Sequence, residues 1–234
     1  MQKNILVVGG TSGIGLALTE QLAKENTLWV ASRKPTEALK ELGVTHIDVD
    51  VTQDVEGKFD ALPDELHGLV YSVGTINLKP FHRLNLDDFQ QDFSVNVLGA
   101  IRVLQENYKK LKKAKGASVV LFSTVASTLG MNFHASVATA KSAVEGLGRS
   151  LAAEWASQKI RVNIVAPSLT QTPLAARLLS TEEKIESADK RHPIGRVGQP
   201  EDLANIASFL LSEEATWITG QTIGVDGGLG TLKP

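Results

Sequence analysis

The sequence predicts an α/β chain in which a parallel sheet of about seven strands is covered by helices on both faces. Three observations predict it. Short β-rich runs alternate with longer helix-like segments along the 234 residues. Several runs, such as Ile5-Leu6-Val7-Val8 and Val119-Val120-Leu121-Phe122, are continuously apolar, as strands covered on both faces should be. No linker, internal repeat or low-complexity tract divides the chain, so residues 1–234 read as one domain.

Taken in order, the strand-like runs are Asn4–Val8, Thr27–Ala31, Val44–Asp48, Gly68–Ser72, Ala117–Ser123, Arg161–Val165 and Gln221–Val225. Helix-like segments lie between them at Gly13–Glu25, Leu86–Lys112, Val137–Ser157 and Pro200–Leu211. The last begins well: proline lacks only an N–H that would be unpaired anyway, and Glu201 and Asp202 suit the positive end of the helix dipole. The longest stretch without a strand is Ala166–Gln199. It is polar and punctuated by proline, which predicts a mobile substrate loop around residues 168–199.

Composition excludes several classes. Lys plus Arg is 24 against 26 for Asp plus Glu, a formal charge of −2, so the excess positive charge of a non-specific nucleic-acid binder is missing. With no cysteine there is no disulfide, thiolate metal site or cysteine nucleophile, and no metal is expected. The apolar run after Asn4 is too short for a signal peptide and no later run could span a bilayer. A soluble, cytoplasmic protein is expected.

The first strand runs directly into Gly9-Gly10-Thr11-Ser12-Gly13-Ile14-Gly15. Gly9 permits a tight turn, Gly13 lets a pyrophosphate approach the backbone, and Gly15 lets the helix pack on the strand. Free N–H groups at the helix start then hold the anion. This placement predicts a Rossmann-like, doubly wound sheet with a dinucleotide on Gly9, Thr11, Ser12, Gly13, Ile14 and Gly15. The end of the second strand selects the cofactor. An NAD site puts an acid there for the ribose 2′-OH, but this chain reads Ala31-Ser32-Arg33-Lys34. Ser32 and Arg33 suit a 2′-phosphate, so NADP is expected.

With these motifs the chain resembles the short-chain dehydrogenase/reductase family over nearly its whole length. The family's glycine turn is matched by Val8-Gly9-Gly10-Thr11-Ser12-Gly13-Ile14-Gly15, and its adenine-contacting pair by Asp50-Val51. Only Gly74 matches the family's Asn-Asn-Ala-Gly segment, in Tyr71-Ser72-Val73-Gly74. Asn96 matches the asparagine that supports a relay water. The stretches 193–202 and 218–228 are family-like throughout. After the sixth strand, Pro167, Leu169 and Thr172 match cofactor contacts, while Ser168 replaces the usual glycine.

The resemblance implies chemistry by a Ser, Tyr, Lys and Asn set, with tyrosine handling the proton while nicotinamide carries the hydride. Lys141 matches the family's lysine, which also holds the nicotinamide ribose, and Asn96 the asparagine. Thr124 stands at the serine position. One helical turn before Lys141, where the resemblance expects tyrosine, the residue is Val137. Valine has nothing to ionise. Water held by Asn96, Lys141 and Thr124, then His134, then Ser123 are the candidate substitutes, and Ser136 also suits a helix cap. Leu178, Leu179 and Ile185 suggest an apolar wall for a small-molecule substrate, or else an anchor for the loop that folds over the site.

Two functions follow. The first is an NADP(H)-dependent oxidoreductase on a carbonyl or alcohol substrate, with Asn96, Thr124 and Lys141 as catalytic residues and a weakened proton transfer. The second is a catalytically impaired NADP(H)-binding protein that acts as a sensor or partner subunit. The resemblance further implies a homodimer or homotetramer, without nucleic-acid or membrane partners.

Overall fold

The structure is a computed structural model that describes residues 2–233. Its strands are β1 (Asn4–Val8), β2 (Thr27–Ser32), β3 (Thr45–Asp48), β4 (Gly68–Tyr71), β5 (Ser118–Phe122), β6 (Arg161–Pro167) and β7 (Thr222–Val225). They form one parallel sheet in the order β3-β2-β1-β4-β5-β6-β7. The doubly wound arrangement expected from the alternation is therefore present, with the chain reversing its winding between β1 and β4. Such a reversal opens a crevice at the carboxyl ends of the strands.

Alternate strand residues face opposite layers, which is why the runs are apolar throughout. Leu6, Val8, Leu69, Val119, Leu121, Val162 and Ile164 join one core, and Ile5, Val7, Val70, Val120 and Val165 the other. Burying one such side chain stabilises by about 1.5–3 kcal/mol before the entropy of ordering it is subtracted. The first core is closed by α4 (Gly99–Lys113) and α5 (Ala135–Trp155), through Val103, Leu104, Val144 and Trp155. The second is closed by α1 (Gly13–Leu22) and α7 (Pro200–Leu211), through Leu18, Leu22, Leu203 and Leu210.

Three elements depart from the sequence expectation. The segment Leu86–Lys112 is not one regular helix. It begins as α3 (Leu86–Phe93), widens into a π-turn over Ser94–Leu98, and continues as α4. A short α2 (Glu37–Glu41) follows β2. Within 168–199 lie a 3₁₀ segment, Pro173–Leu179, and α6 (Glu182–Asp189). The start of α3 explains itself: the Asn85 side chain accepts from Asp88 N at 2.9 Å, and the Asp88 carboxylate accepts from Asn85 N at 3.1 Å.

Candidate active site

The carboxyl ends of β1, β4, β5 and β6 bring the expected residues to one rim. After β1 the chain turns at Gly9, whose φ is +89°, and enters α1. A Cβ at Gly15 would stand 2.2 Å from Gly9 O, so only glycine lets α1 approach this closely. A Cβ at Gly13 would meet Thr172 at 3.1 Å, which places Thr172 against the glycine turn. Thr11 and Ile14 are half-buried and Ser12 is exposed at the mouth of the helix.

The end of β2 carries the residues expected to select the cofactor. Arg33 and Lys34 are exposed, and among the described residues neither has an ion-pair partner. Ser32 is already engaged: its hydroxyl donates to Lys34 O at 2.8 Å, so the 2.9 Å contact to His46 Nε2 has Ser32 as acceptor. Asp50 Oδ1 accepts from Thr52 N and Thr52 Oγ1 at 2.9 and 2.7 Å. These bonds, with Arg33 contributing further, hold its carboxyl below the usual carboxylate range. Val51 is turned into the core and its carbonyl accepts from Arg102 at 3.1 Å.

Deeper in the crevice, Lys141 is 7% exposed and donates to Phe122 O at 2.9 Å. Burial pushes its ammonium down to about 8 from the ordinary lysine value, against an opposing pull from Asp92. Asn96 lies in the π-turn and is fully buried. Its Nδ2 donates to Asp92 O at 2.7 Å and Thr75 Oγ1 at 2.9 Å. The Asp92 carbonyl can only accept, so the amide is fixed in this orientation. Asn96 Oδ1 is left buried without a protein donor. A Cβ at Gly74 would lie 3.3 Å from Lys141 Nζ and 3.4 Å from Asn96 Oδ1, so both polar atoms converge on the space that Gly74 leaves open.

Thr124 follows β5, half-buried, and its Oγ1 accepts from Ala126 N at 3.3 Å. Val137 is buried at 6% exposure, one turn before Lys141. Neither tyrosine of the chain stands in for a phenol here. Tyr71 donates to Val95 O at 2.6 Å, with burial pushing its hydroxyl well above the ordinary value, and Tyr108 donates to Gln158 Oε1. His134 Nδ1 is bonded to Asn132 O at 2.7 Å. Ser123 donates to Glu145 Oε1 at 2.7 Å. Ser136 is not the helix cap its position suggested. Residue 134 occupies the cap, and Ser136 Oγ donates to Asp92 Oδ2 at 2.5 Å and Asp88 O at 3.2 Å.

On the β6 side, Leu169 O accepts from Gly198 N at 3.0 Å, and Thr172 Oγ1 accepts from Ala175 N at 3.3 Å, capping the 3₁₀ segment that Pro173 opens. Pro167 closes β6. Ser168 contacts Nε2 of the buried His192 at 2.8 Å, and His192 Nδ1 contacts Ala188 O at 2.8 Å. Since that carbonyl only accepts, the neutral ring carries its proton on Nδ1 and Ser168 donates. A cavity of about 590 Å³ opens beside the start of α5, lined among others by Lys79, Phe81, His82, Met131, Phe133 and His134. Leu178, Leu179 and Ile185, expected as the substrate wall, are half-buried and do not line it.

Sequence reasoning missed the buried acids Asp92 and Glu145 and the buried His192. Asp92 stands one turn before Asn96, a spacing that puts the two on one helix face, and this was the available signal.

Comparison with known proteins identifies the family. Residues 8–230 match the family model described as enoyl-(acyl carrier protein) reductase. A tropinone reductase homolog of Arabidopsis thaliana is 34% identical, covering 97% of this chain and 92% of the relative. The 3-oxoacyl-[acyl-carrier-protein] reductase MabA of Mycobacterium bovis is 30% identical, over 98% of this chain and 94% of its own. Among solved structures, a short-chain type dehydrogenase/reductase from Mycobacterium ulcerans superposes with a TM-score of 0.92 at 30% identity, covering 98% of this chain and 90% of that one. A tyrosine-to-phenylalanine variant of ElxO with NADPH bound superposes at 0.91 with 25% identity, over 99% of this chain and 100% of the other. The sheet order, the glycine turn under α1 and these full-length matches together make the chain a member of the short-chain dehydrogenase/reductase family of oxidoreductases.

Proposed function

We propose that the protein is an NADP(H)-dependent oxidoreductase acting on the carbonyl or alcohol group of a small molecule, with proton transfer weakened by Val137 at the position of the family's tyrosine. The observation that carries this reading is the convergence of Lys141 Nζ and the unpartnered Asn96 Oδ1 on the space beside Gly74, with Val137 one turn away. A buried acceptor without a protein donor calls for a polar partner, which a cofactor ribose or a shared water supplies.

In this reading Gly9, Thr11, Ser12, Gly13, Ile14, Gly15 and Thr172 hold the pyrophosphate side. Asp50, Val51 and Gly74 take the adenine side and the crevice wall, and Pro167 and Leu169 the nicotinamide side. Arg33, without an ion-pair partner among the described residues, takes the 2′-phosphate; Ser32 joins it by turning its hydroxyl proton from Lys34 O to the phosphate. The bound nicotinamide supplies hydride for reduction, or accepts it in the reverse direction. Thr124 offers a hydroxyl to the substrate oxygen. Lys141 is the acid closest to hand: an ammonium titrating near 8 gives up a proton far more readily than an ordinary lysine, and water on Asn96 Oδ1 can carry it. Ser123 is a poorer candidate because its hydroxyl already serves Glu145, and His134, whose Nδ1 is tied to Asn132 O, offers only Nε2 to the cavity it lines.

The apolar, buried Val137 favours a second reading in which the protein binds NADP(H) but does not turn over, serving as a sensor or partner subunit. One experiment separates them: NADPH binding followed by nicotinamide fluorescence, alongside NADPH consumption across a panel of ketones and aldehydes. Binding with slow, measurable consumption is expected. Binding without consumption of any carbonyl favours the second reading, and no binding contradicts both. We also infer a homo-oligomer, supported by Phe93 and Leu98, apolar and 39% and 38% exposed, around a largely apolar cavity of about 440 Å³ between α3 and α5.

A further inference from the structure

Asp92 is 1% exposed, and in the sequence it reads as an ordinary helix acid. In the structure every polar contact it makes leads to the site. Its Oδ1 accepts from Thr75 Oγ1 at 2.6 Å and its Oδ2 from Ser136 Oγ at 2.5 Å. Its backbone carbonyl accepts from Asn96 Nδ2, which also donates to Thr75 Oγ1. The carboxylate thus ties the loop after β4, at Thr75 beside Gly74, to the first turn of α5, at Ser136 beside Val137, while the Asp92 carbonyl and Thr75 hold Asn96 in the π-turn.

A buried carboxylate needs both hydrogen bonds and an opposite charge. The hydroxyls of Thr75 and Ser136 meet the first need. No guanidinium or ammonium pairs with it directly among the described residues, and the charge that feels it is the buried ammonium of Lys141, which donates only to Phe122 O. Asn96 stands between them, its amide donors turned to the Asp92 side and its carbonyl oxygen toward Lys141.

We propose that Asp92 is a positioning residue of this site: through Thr75 and its own backbone carbonyl it holds the Asn96 amide so that Oδ1 faces the space it shares with Lys141 Nζ, and its carboxylate is the buried negative charge on the other side of Asn96. This rests on the reading of Lys141 as a working residue but concerns the protein without cofactor. The groups facing Lys141 are the Phe122 carbonyl on β5, Asn96 in the π-turn and Asp92 at the end of α3; Glu145, one turn further along α5, is engaged by Ser123 and Ser127 and lies within reach of Arg149. Removing Asp92's charge therefore lowers the pH at which Lys141 loses its proton.

The test is Asp92→Asn, which keeps the shape and removes the charge. The Lys141 Nζ resonance, identified by its loss in Lys141→Met, is followed against pH by ¹⁵N NMR of the full chain. A drop of the midpoint by roughly one unit relative to wild type is expected. An unmoved midpoint in a folded variant overturns the proposal. If Asp92→Asn is too unstable to titrate, a thermal-stability cycle with Lys141→Met decides it. Asp92→Asn should cost less when Lys141 is already uncharged, and additive effects contradict the countercharge role. NADPH affinity measured on the same variants separates the two levels: if the midpoint moves while affinity keeps no trace of the Lys141 titration, the proposed ribose contact fails and the role of Asp92 stands.

Discussion

Lys141 is the residue on which most of the proposed chemistry converges. Its ammonium is buried against one carbonyl, and burial lowers its folded value to about 8, below the 10.5 of an exposed lysine. Folding therefore favours the neutral form. Above pH 10.5 both states are neutral and no penalty applies; as pH falls toward 8 the unfolded chain takes up the proton first, and the penalty is complete below 8. The stability of wild type relative to Lys141→Met should thus improve as pH rises from about 8 to 10.5 and stay level below 8, which urea titrations at stepped pH can check. A difference that is flat throughout would mean that Lys141 keeps an ordinary value. Arg33 is the opposite case, an exposed cation without an ion-pair partner among the described residues. Arg33→Ala should weaken NADPH by roughly ten-fold or more, as loss of a charged hydrogen bond does, and leave NADH nearly unchanged. Equal losses for both cofactors would remove Arg33 from the 2′-phosphate.

At the scale of elements, the path from sequence to site runs through helix starts and strand ends. The strands were legible because each is apolar on both faces, and observed ends such as Thr222–Val225 differ little from the runs that predicted them. The glycine turn was legible because its spacing is tied to one backbone geometry. Gly15→Ala puts a methyl group 2.2 Å from Gly9 O, so α1 must back away from β1. Loss of detectable NADPH binding, with a folded circular dichroism spectrum, is the expected outcome; unchanged affinity would mean that the turn does not touch the cofactor. What was not legible depends on which face of a helix is buried. Asp92 follows Gln90 and Gln91, Glu145 stands between Val144 and Gly146, and a carboxylate on a helix ordinarily reads as solvated in either setting. Only the packing shows that both are enclosed: α5 covers Asp92 through Ser136, and the turn after β5 covers Glu145 through Ser123 and Ser127. The π-turn at Ser94–Leu98 escaped for a related reason, since nothing in Ser-Val-Asn-Val-Leu demands five-residue spacing until Asn96 is seen bonding back to Asp92 O. Ser136 failed as a cap because its hydroxyl is needed across the helix interface.

For the whole molecule, the sheet places every part of the candidate site at one rim, while Leu86 and Phe93 of α3 and Leu98 of the π-turn are exposed. Among the described residues no helix is long and apolar enough to cross a membrane. Light scattering at micromolar concentration should report a dimer or tetramer, and Phe93→Asp together with Leu98→Asp should shift it toward monomer; a wild-type monomer would contradict the assembly. The central claim is that an intact cofactor crevice works slowly because Val137 offers no proton where the family's tyrosine would. The most direct measurement is the rate of NADPH-dependent carbonyl reduction by Val137→Tyr, set against Val137→Phe, which adds the ring without the hydroxyl. Val137 is buried, so either ring costs about 1–3 kcal/mol in overpacking, and the comparison cancels that cost. The account expects the tyrosine variant to exceed the phenylalanine variant by roughly 10²–10⁴, the contribution of a general acid. A tyrosine variant that binds NADPH normally and is no faster than the phenylalanine variant on any carbonyl of the panel would contradict it.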